Sequence, residues 1–162
     1  MKCKRCWKIT SNGSFIIPID SLPLLSFTKL PQTKFFIFLH VSNNERSRKF
    51  CTGHWLGLAI YLSQRKCLIF DPANQIKQWE NTMQIIHEFC NKNKLKCIDF
   101  NLKCQDEGSY ICGQECLAMC AKMHNNTLRQ LLNLRTLLKQ YDVDSIENKM
   151  VSFAEDHFVT KF

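Results

Sequence analysis

The apolar positions of this chain fall into short blocks with two different periods. Phe35–Val41 is an unbroken aromatic and aliphatic run, the pattern of a strand buried on both faces. After a polar, charged loop from Ser42 to Gly53, two more strand-like runs, His54–Leu62 and Lys66–Phe70, are joined by Ser63-Gln64-Arg65 and predict a hairpin. The period then changes. Ile76, Trp79, Met83, Ile86 and Phe89 recur in steps of three and four and predict a helix over 74–91. Leu95–Leu102 predicts another strand, and Cys112, Cys116, Met119, Cys120 and Met123 predict a helix over 112–123. Thr127 with Gln130 is a capping-box signal for a third helix with Leu128, Leu131, Leu132, Arg135 and Leu138 along one side. Asp144 with Glu147 predicts the start of a last one, with Ile146, Met150, Phe153 and His157 on one face. Near the beginning, Ser14–Asp20 and the proline-bounded Ser21–Pro31 predict irregular structure or a short helix. The sum is an α+β fold: a small, mostly antiparallel sheet with helices around it.

Composition narrows this little. At 162 residues, 45% hydrophobic and 22% charged, the chain is expected to form one globular domain over 1–162, with 1–13 as a mobile basic N-terminus. The longest apolar run, Lys34–His40, is far too short to cross a bilayer, and no signal-peptide apolar region follows the basic start. The expectation is a soluble, intracellular chain that is not secreted and has no membrane partner. Its ten cysteines then read as reduced, mostly buried thiols rather than a disulfide framework.

Charge does change the picture. Of the net +8, residues 1–70 carry a balance of +9 and residues 71–162 a balance of −1. Lys2, Lys4, Arg5, Lys8, Arg46, Arg48 and Lys49 supply much of the excess. Two readings stay open: a face that binds DNA without sequence preference, or a solvated basic surface with no ligand. No base-reading motif is present.

Candidate chemistry lies in four short pieces in a fixed order. Cys112 stands where a polar loop meets a helix, and the helix N-terminus favours a thiolate. Gly113 leaves room for a substrate backbone. His54, at the start of a strand, is placed to take the thiol proton. Asp71, seventeen residues on, ends the next strand and is placed to fix the imidazole tautomer. Gln105, seven residues before Cys112, is placed to donate to an oxyanion together with the Cys112 amide. Each piece has a plainer reading: a packed cysteine, an Asp71-Pro72 turn, a loop glutamine. Cys3-x-x-Cys6 and Cys51-x-x-His54 also have zinc-like spacing, but that site would consume His54, so no metal is expected.

The ordered set His54-Trp55, Asp71, Gln105 and Cys112-Gly113 resembles the adenovirus-type (adenain-like) processing proteases, in the clan that includes the SUMO-specific proteases. The runs Lys66–Pro72 and Ser109–Cys116 are similar to that branch, and the Cys-Gly-Gln-x-Cys form is similar to proteases of Polinton-type elements and related animal DNA viruses. Ile111 stands where the SUMO branch has Asp. The resemblance implies a papain-like/adenain-like fold and a monomeric cysteine endopeptidase that cuts virion precursor proteins near small residues through an acyl-thioester. It also implies work in the host nucleus and virion, and no cofactor for the chemistry. His54, Asp71 and Cys112 would be catalytic, Gln105 and the Cys112 amide the oxyanion hole, and Trp55 would pack beside the His54 ring. Activation by DNA and by a viral peptide disulfide-bonded to Cys97 is implied as well, although a buried strand cysteine is the plainer reading of Cys97. The alternatives are a SUMO- or ubiquitin-deconjugating enzyme and an inactive relative that binds DNA or protein.

Overall fold

The computed structural model describes residues 7–8, 14–27, 33–42, 53–106, 109 and 111–158. Among them one six-stranded sheet runs in chain order: β1 (Trp7–Lys8), β2 (Ser14–Pro18), β3 (Lys34–Ser42), β4 (Gly53–Tyr61), β5 (Lys66–Phe70) and β6 (Lys96–Asp99). Helix α1 (Glu80–Lys92) precedes β6, and α2 (Cys112–Asn125), α3 (Leu128–Leu138) and α4 (Val143–Phe158) follow it. The class is α+β. The sheet is mixed: β1–β2, β3–β4 and β4–β5 are antiparallel, three of its five pairings, while β2 pairs β3 and β6 pairs β5 in parallel. A parallel neighbour needs a crossover, and α1 supplies it between β5 and β6.

Both faces of the sheet are covered, which is why β3 reads as an unbroken apolar run. Phe36 and Phe38 join one core with Ala59, Tyr61, Leu68 and Phe70, under α2, α3 and α4. Phe35, Ile37 and Leu39 join the other with Leu56, Leu58 and Ile60, under α1 and the 3-10 turns Ile19–Leu24. The strand period of two assigns successive residues to opposite cores.

Several boundaries differ from expectation. Ser14–Pro18 is a strand, because β3 offers it a partner edge that a five-residue segment cannot signal alone. The helix expected over 74–91 splits into a 3-10 turn, Ile76–Gln78, and α1. The segment before α1 is folded around the Asp71 carboxylate instead, and Asn74 takes a left-handed φ of 55°. The strand expected to reach Leu102 stops at Asp99, whose carboxylate accepts the Asn101 N–H in a tight turn. The capping box at Thr127 and Gln130 is present in full. The cap of α4 is Asp142 rather than Asp144: its carboxylate accepts the Ser145 N–H at 2.8 Å.

All seven cysteines among the described residues are free thiols, and six of them are buried. No described helix is long and apolar enough to cross a membrane. Lys2, Lys4, Arg5, Arg46, Arg48 and Lys49, and with them Cys3, Cys6 and Cys51, lie outside the described residues, as does most of the 1–13 segment. Among the described residues no group of three or more His, Cys, Asp or Glu could hold a metal ion.

Candidate active site

The hairpin register explains how His54 meets Asp71. Gly57 pairs with Phe70, so Asp71 stands opposite Leu56, and His54 lies two residues further along the same face. The diagonal brings His54 Nε2 to 2.7 Å from Asp71 Oδ1. Asp71 is 4% exposed, and its two oxygens are fully engaged. Oδ1 also accepts the Ala73 N–H at 3.0 Å, while Oδ2 accepts the Gln75 and Ile76 N–H groups at 2.6 and 2.7 Å. The Asp-Pro turn and the imidazole-orienting role are therefore the same structure: the turn wraps the carboxylate that holds the histidine.

With Nε2 committed to Asp71, Nδ1 is the imidazole nitrogen left for Cys112, the first residue of α2. The imidazole and the backbone N–H groups of Trp55 and Gly113 act on the Cys112 sulfur. Burial pushes that thiol up, but the imidazole and the two N–H groups outweigh burial and leave it below the usual thiol range. Burial pulls His54 down, yet the Asp71 hydrogen bond and the Cys112 sulfur raise it to about 9. A low thiol beside a high imidazole is the condition for a thiolate–imidazolium pair near neutral pH.

Gln105 is held by backbone bonds to the same turn. The Cys104 and Gln105 N–H groups both donate to the Pro72 carbonyl, at 2.8 and 3.0 Å. The Gln105 side-chain amide donates to the Ser109 carbonyl, so one of its two N–H donors is engaged within the loop. Its Oε1 is buried without a partner among the described residues. Glu147 of α4 braces this loop through long hydrogen bonds from the Asp106 N–H and the Ser109 hydroxyl, at 3.4 and 3.5 Å.

The ring beside His54 is Trp79, not Trp55. Trp79 stands edge-on to the imidazole with centroids 5.2 Å apart and planes at 83°. Trp55, next to His54 on a strand, faces the opposite core and lies 4.8 Å from the His40 ring. A Cβ on Gly113 would meet Trp55 at 3.6 Å, an ordinary contact, so internal packing does not demand glycine there. Gly53 is different: a Cβ there would sit 1.9 Å from His40 Nε2. Gly53→Ala should drive His40 off Trp55 and cost about 1–3 kcal/mol, read as a lower urea midpoint with altered tryptophan fluorescence.

Two residues of the site give only faint sequence signals. Trp79 reads as one more apolar helix position. Glu115 is a charge on the buried side of α2, one turn after Cys112, and is 0% exposed. Neither of its oxygens has a partner among the described residues. Burial first, then the neighbouring Glu147 and Cys112, push its pKa up to about 8, so it is a neutral acid at pH 7.

A scan of the sequence against models of known protein families finds no match, and no curated protein matches it.

Proposed function

We propose that this chain is a cysteine endopeptidase of the adenain-like kind, with a papain-like arrangement of helix and sheet. The observation that carries the reading is the His54–Asp71 bond of 2.7 Å with Cys112 at the helix N-terminus on the other side of the imidazole. A thiolate nucleophile, a histidine of fixed tautomer and a loop amide seven residues upstream are the parts of acyl transfer at a thiol.

In this reading Cys112 attacks the scissile carbonyl and the negative charge passes to its oxygen. The Cys112 N–H stabilises that oxyanion with the Gln105 amide, which turns from Ser109 to do so. The His54 imidazolium protonates the departing amine. It then takes a proton from water, which hydrolyses the thioester. The substrates proposed are virion precursor proteins, cut near small residues in the host nucleus and virion. DNA and a viral peptide are the proposed activators, and Cys97 is the proposed peptide attachment point.

Cys112→Ala should abolish cleavage of a glycine-containing peptide, and retained cleavage overturns the assignment. In the parent, iodoacetamide should label Cys112 at neutral pH faster than a free thiol, because the imidazole and the neighbouring N–H groups hold the thiol below its usual range. Labelling no faster than a free thiol would favour an inactive binding module. Cleavage should decline as pH rises through about 9, where His54 loses the proton it must donate. Capture of Cys112 by a ubiquitin or SUMO vinyl sulfone would move the reading to a deconjugating enzyme.

A further inference from the structure

A second group of sulfurs lies away from His54, Asp71 and Cys112; of these the peptidase reading uses only Cys97, as a peptide attachment point, and gives Cys67 and Cys90 no role. Cys67 on β5 pairs directly with Cys97 on β6, and Cys90 in the last turns of α1 lies over both. Cys90 Sγ and Cys97 Sγ are 3.6 Å apart. Cys67 and Cys90 are buried, whereas Cys97 is partly exposed. The backbone between the two is a tight connection: the Leu95 N–H donates to the Cys90 carbonyl at 2.8 Å, and Lys94 takes a φ of 55°.

We infer that Cys90 and Cys97 form a thiol–disulfide exchange site that takes small-molecule disulfides and closes to an internal bridge. This inference stands whether or not the chain is a peptidase. The two sulfurs need to approach by about 1.5 Å to reach bonding distance, a shift within reach of side-chain rotation. Only Cys97 is open to a reagent, so it attacks first. Hydrogen bonds from Cys67 and Cys90, with a contribution from His87, hold its thiol well below the usual range despite burial.

The chemistry balances in two steps. The Cys97 thiolate attacks one sulfur of the disulfide RSSR, the S–S bond breaks, and RS⁻ departs to pick up a proton. Cys90 then loses its proton and attacks Cys97 Sγ, expelling the second RS⁻. Two thiols of the protein are oxidised and one RSSR is reduced to two RSH. The second step is helped by the first. The Cys67 hydrogen bond pulls Cys90 down, but Cys97 and burial raise it to about 12. Capping Cys97 removes its negative charge and with it that source of the rise.

The bridge would tie the end of α1 to β6. The other end of α1 follows Trp79, which packs on His54, and the chain leaving β6 leads to Gln105.

The test is incubation of the native full chain with oxidised glutathione, followed by mass analysis and peptide mapping under non-reducing conditions. The expected product has lost two hydrogens, links Cys90 to Cys97, and returns to the starting mass with a reducing agent. Cys90→Ser should stop at a single glutathione on Cys97. Cys97→Ser should leave Cys90 unmodified. A parent that keeps a stable mixed disulfide on Cys97, links Cys97 to Cys67 instead, or leaves both thiols free overturns the inference. Reaction of Cys112 with the same reagent maps to a different peptide and bears only on the peptidase reading.

Discussion

Glu115→Gln should make the protein more stable than its parent at pH 8.5, with little difference near pH 5. The carboxyl titrates near 4.5 when the chain is unfolded and near 8 when folded. A group raised on folding gives its full contribution below the unfolded value and loses it as pH climbs through the folded one. Between those limits the unfolded chain releases a proton that the folded chain keeps, and folding becomes steadily less favourable. The full interval corresponds to about 2–5 kcal/mol at 1.36 kcal/mol per pH unit, the lower end allowing for relaxation around the charge. Glutamine has nearly the same shape and nothing to ionise, so the gap between variant and parent should open from pH 5 to pH 8 and then level off. Urea midpoints at four pH values measure it. Equal midpoints at pH 8.5 would mean that Glu115 finds a counter-charge or water on folding.

On the proposed peptidase reading, the same residue bears on the nucleophile. Glu115 is one turn from Cys112, and Glu147, Asp71 and Cys112 all add negative potential around it, opposed by His54. While Glu115 stays neutral it does not oppose the thiolate. Its ionisation above about 8 does, which gives the parent a second reason to lose activity on the alkaline side.

Asp71→Asn should cost about 10³–10⁴-fold in kcat/KM for peptide cleavage. It should also lower stability by about 1–3 kcal/mol. Every donor around the carboxylate is accounted for: His54 and Ala73 on one oxygen, Gln75 and Ile76 on the other. An asparagine must turn its NH₂ toward one of these pairs. Facing His54, it forces the acceptor tautomer on Nε2 and puts the proton on Nδ1, where a base for Cys112 is needed. Facing Gln75 and Ile76, it sets donor against donor in a buried turn. Alkylation of Cys112 at pH 6 should slow in parallel, because the imidazole loses the partner that raises it. Cleavage within tenfold of the parent would remove the orienting role from Asp71.

Legibility followed how local each cause was. The capping box of α3 uses two side chains three residues apart, and it is present as read. The apolar face of α2 and the double burial of β3 follow from period and composition. The break before α1 was not visible, because the Ile76, Trp79, Met83 spacing continues unbroken through it. The turn is set by three backbone N–H bonds to one carboxylate, a cause with no periodicity. Strand β2 is not legible from its own residues because its pairing edge is contributed by β3, and the α4 cap is not because two acidic residues stand two positions apart.

Sequence by itself determined the α+β class, the order of the main elements and the set His54, Asp71, Gln105 and Cys112 as the residues to watch. Tertiary structure decided what their separations mean. The hairpin register puts His54 and Asp71 on one face, and a shift of one residue would have put them on opposite faces. The Pro72 carbonyl ties the Gln105 backbone to the Asp71 turn, and the packing of α1 brings Trp79 rather than Trp55 to the imidazole. Burial, reinforced by Glu147 and Cys112, makes Glu115 a neutral acid one turn from Cys112. Charge state and facing depend on distance through space, and spacing along the chain carries that information only where a repeat or a short hydrogen-bonded motif transmits it.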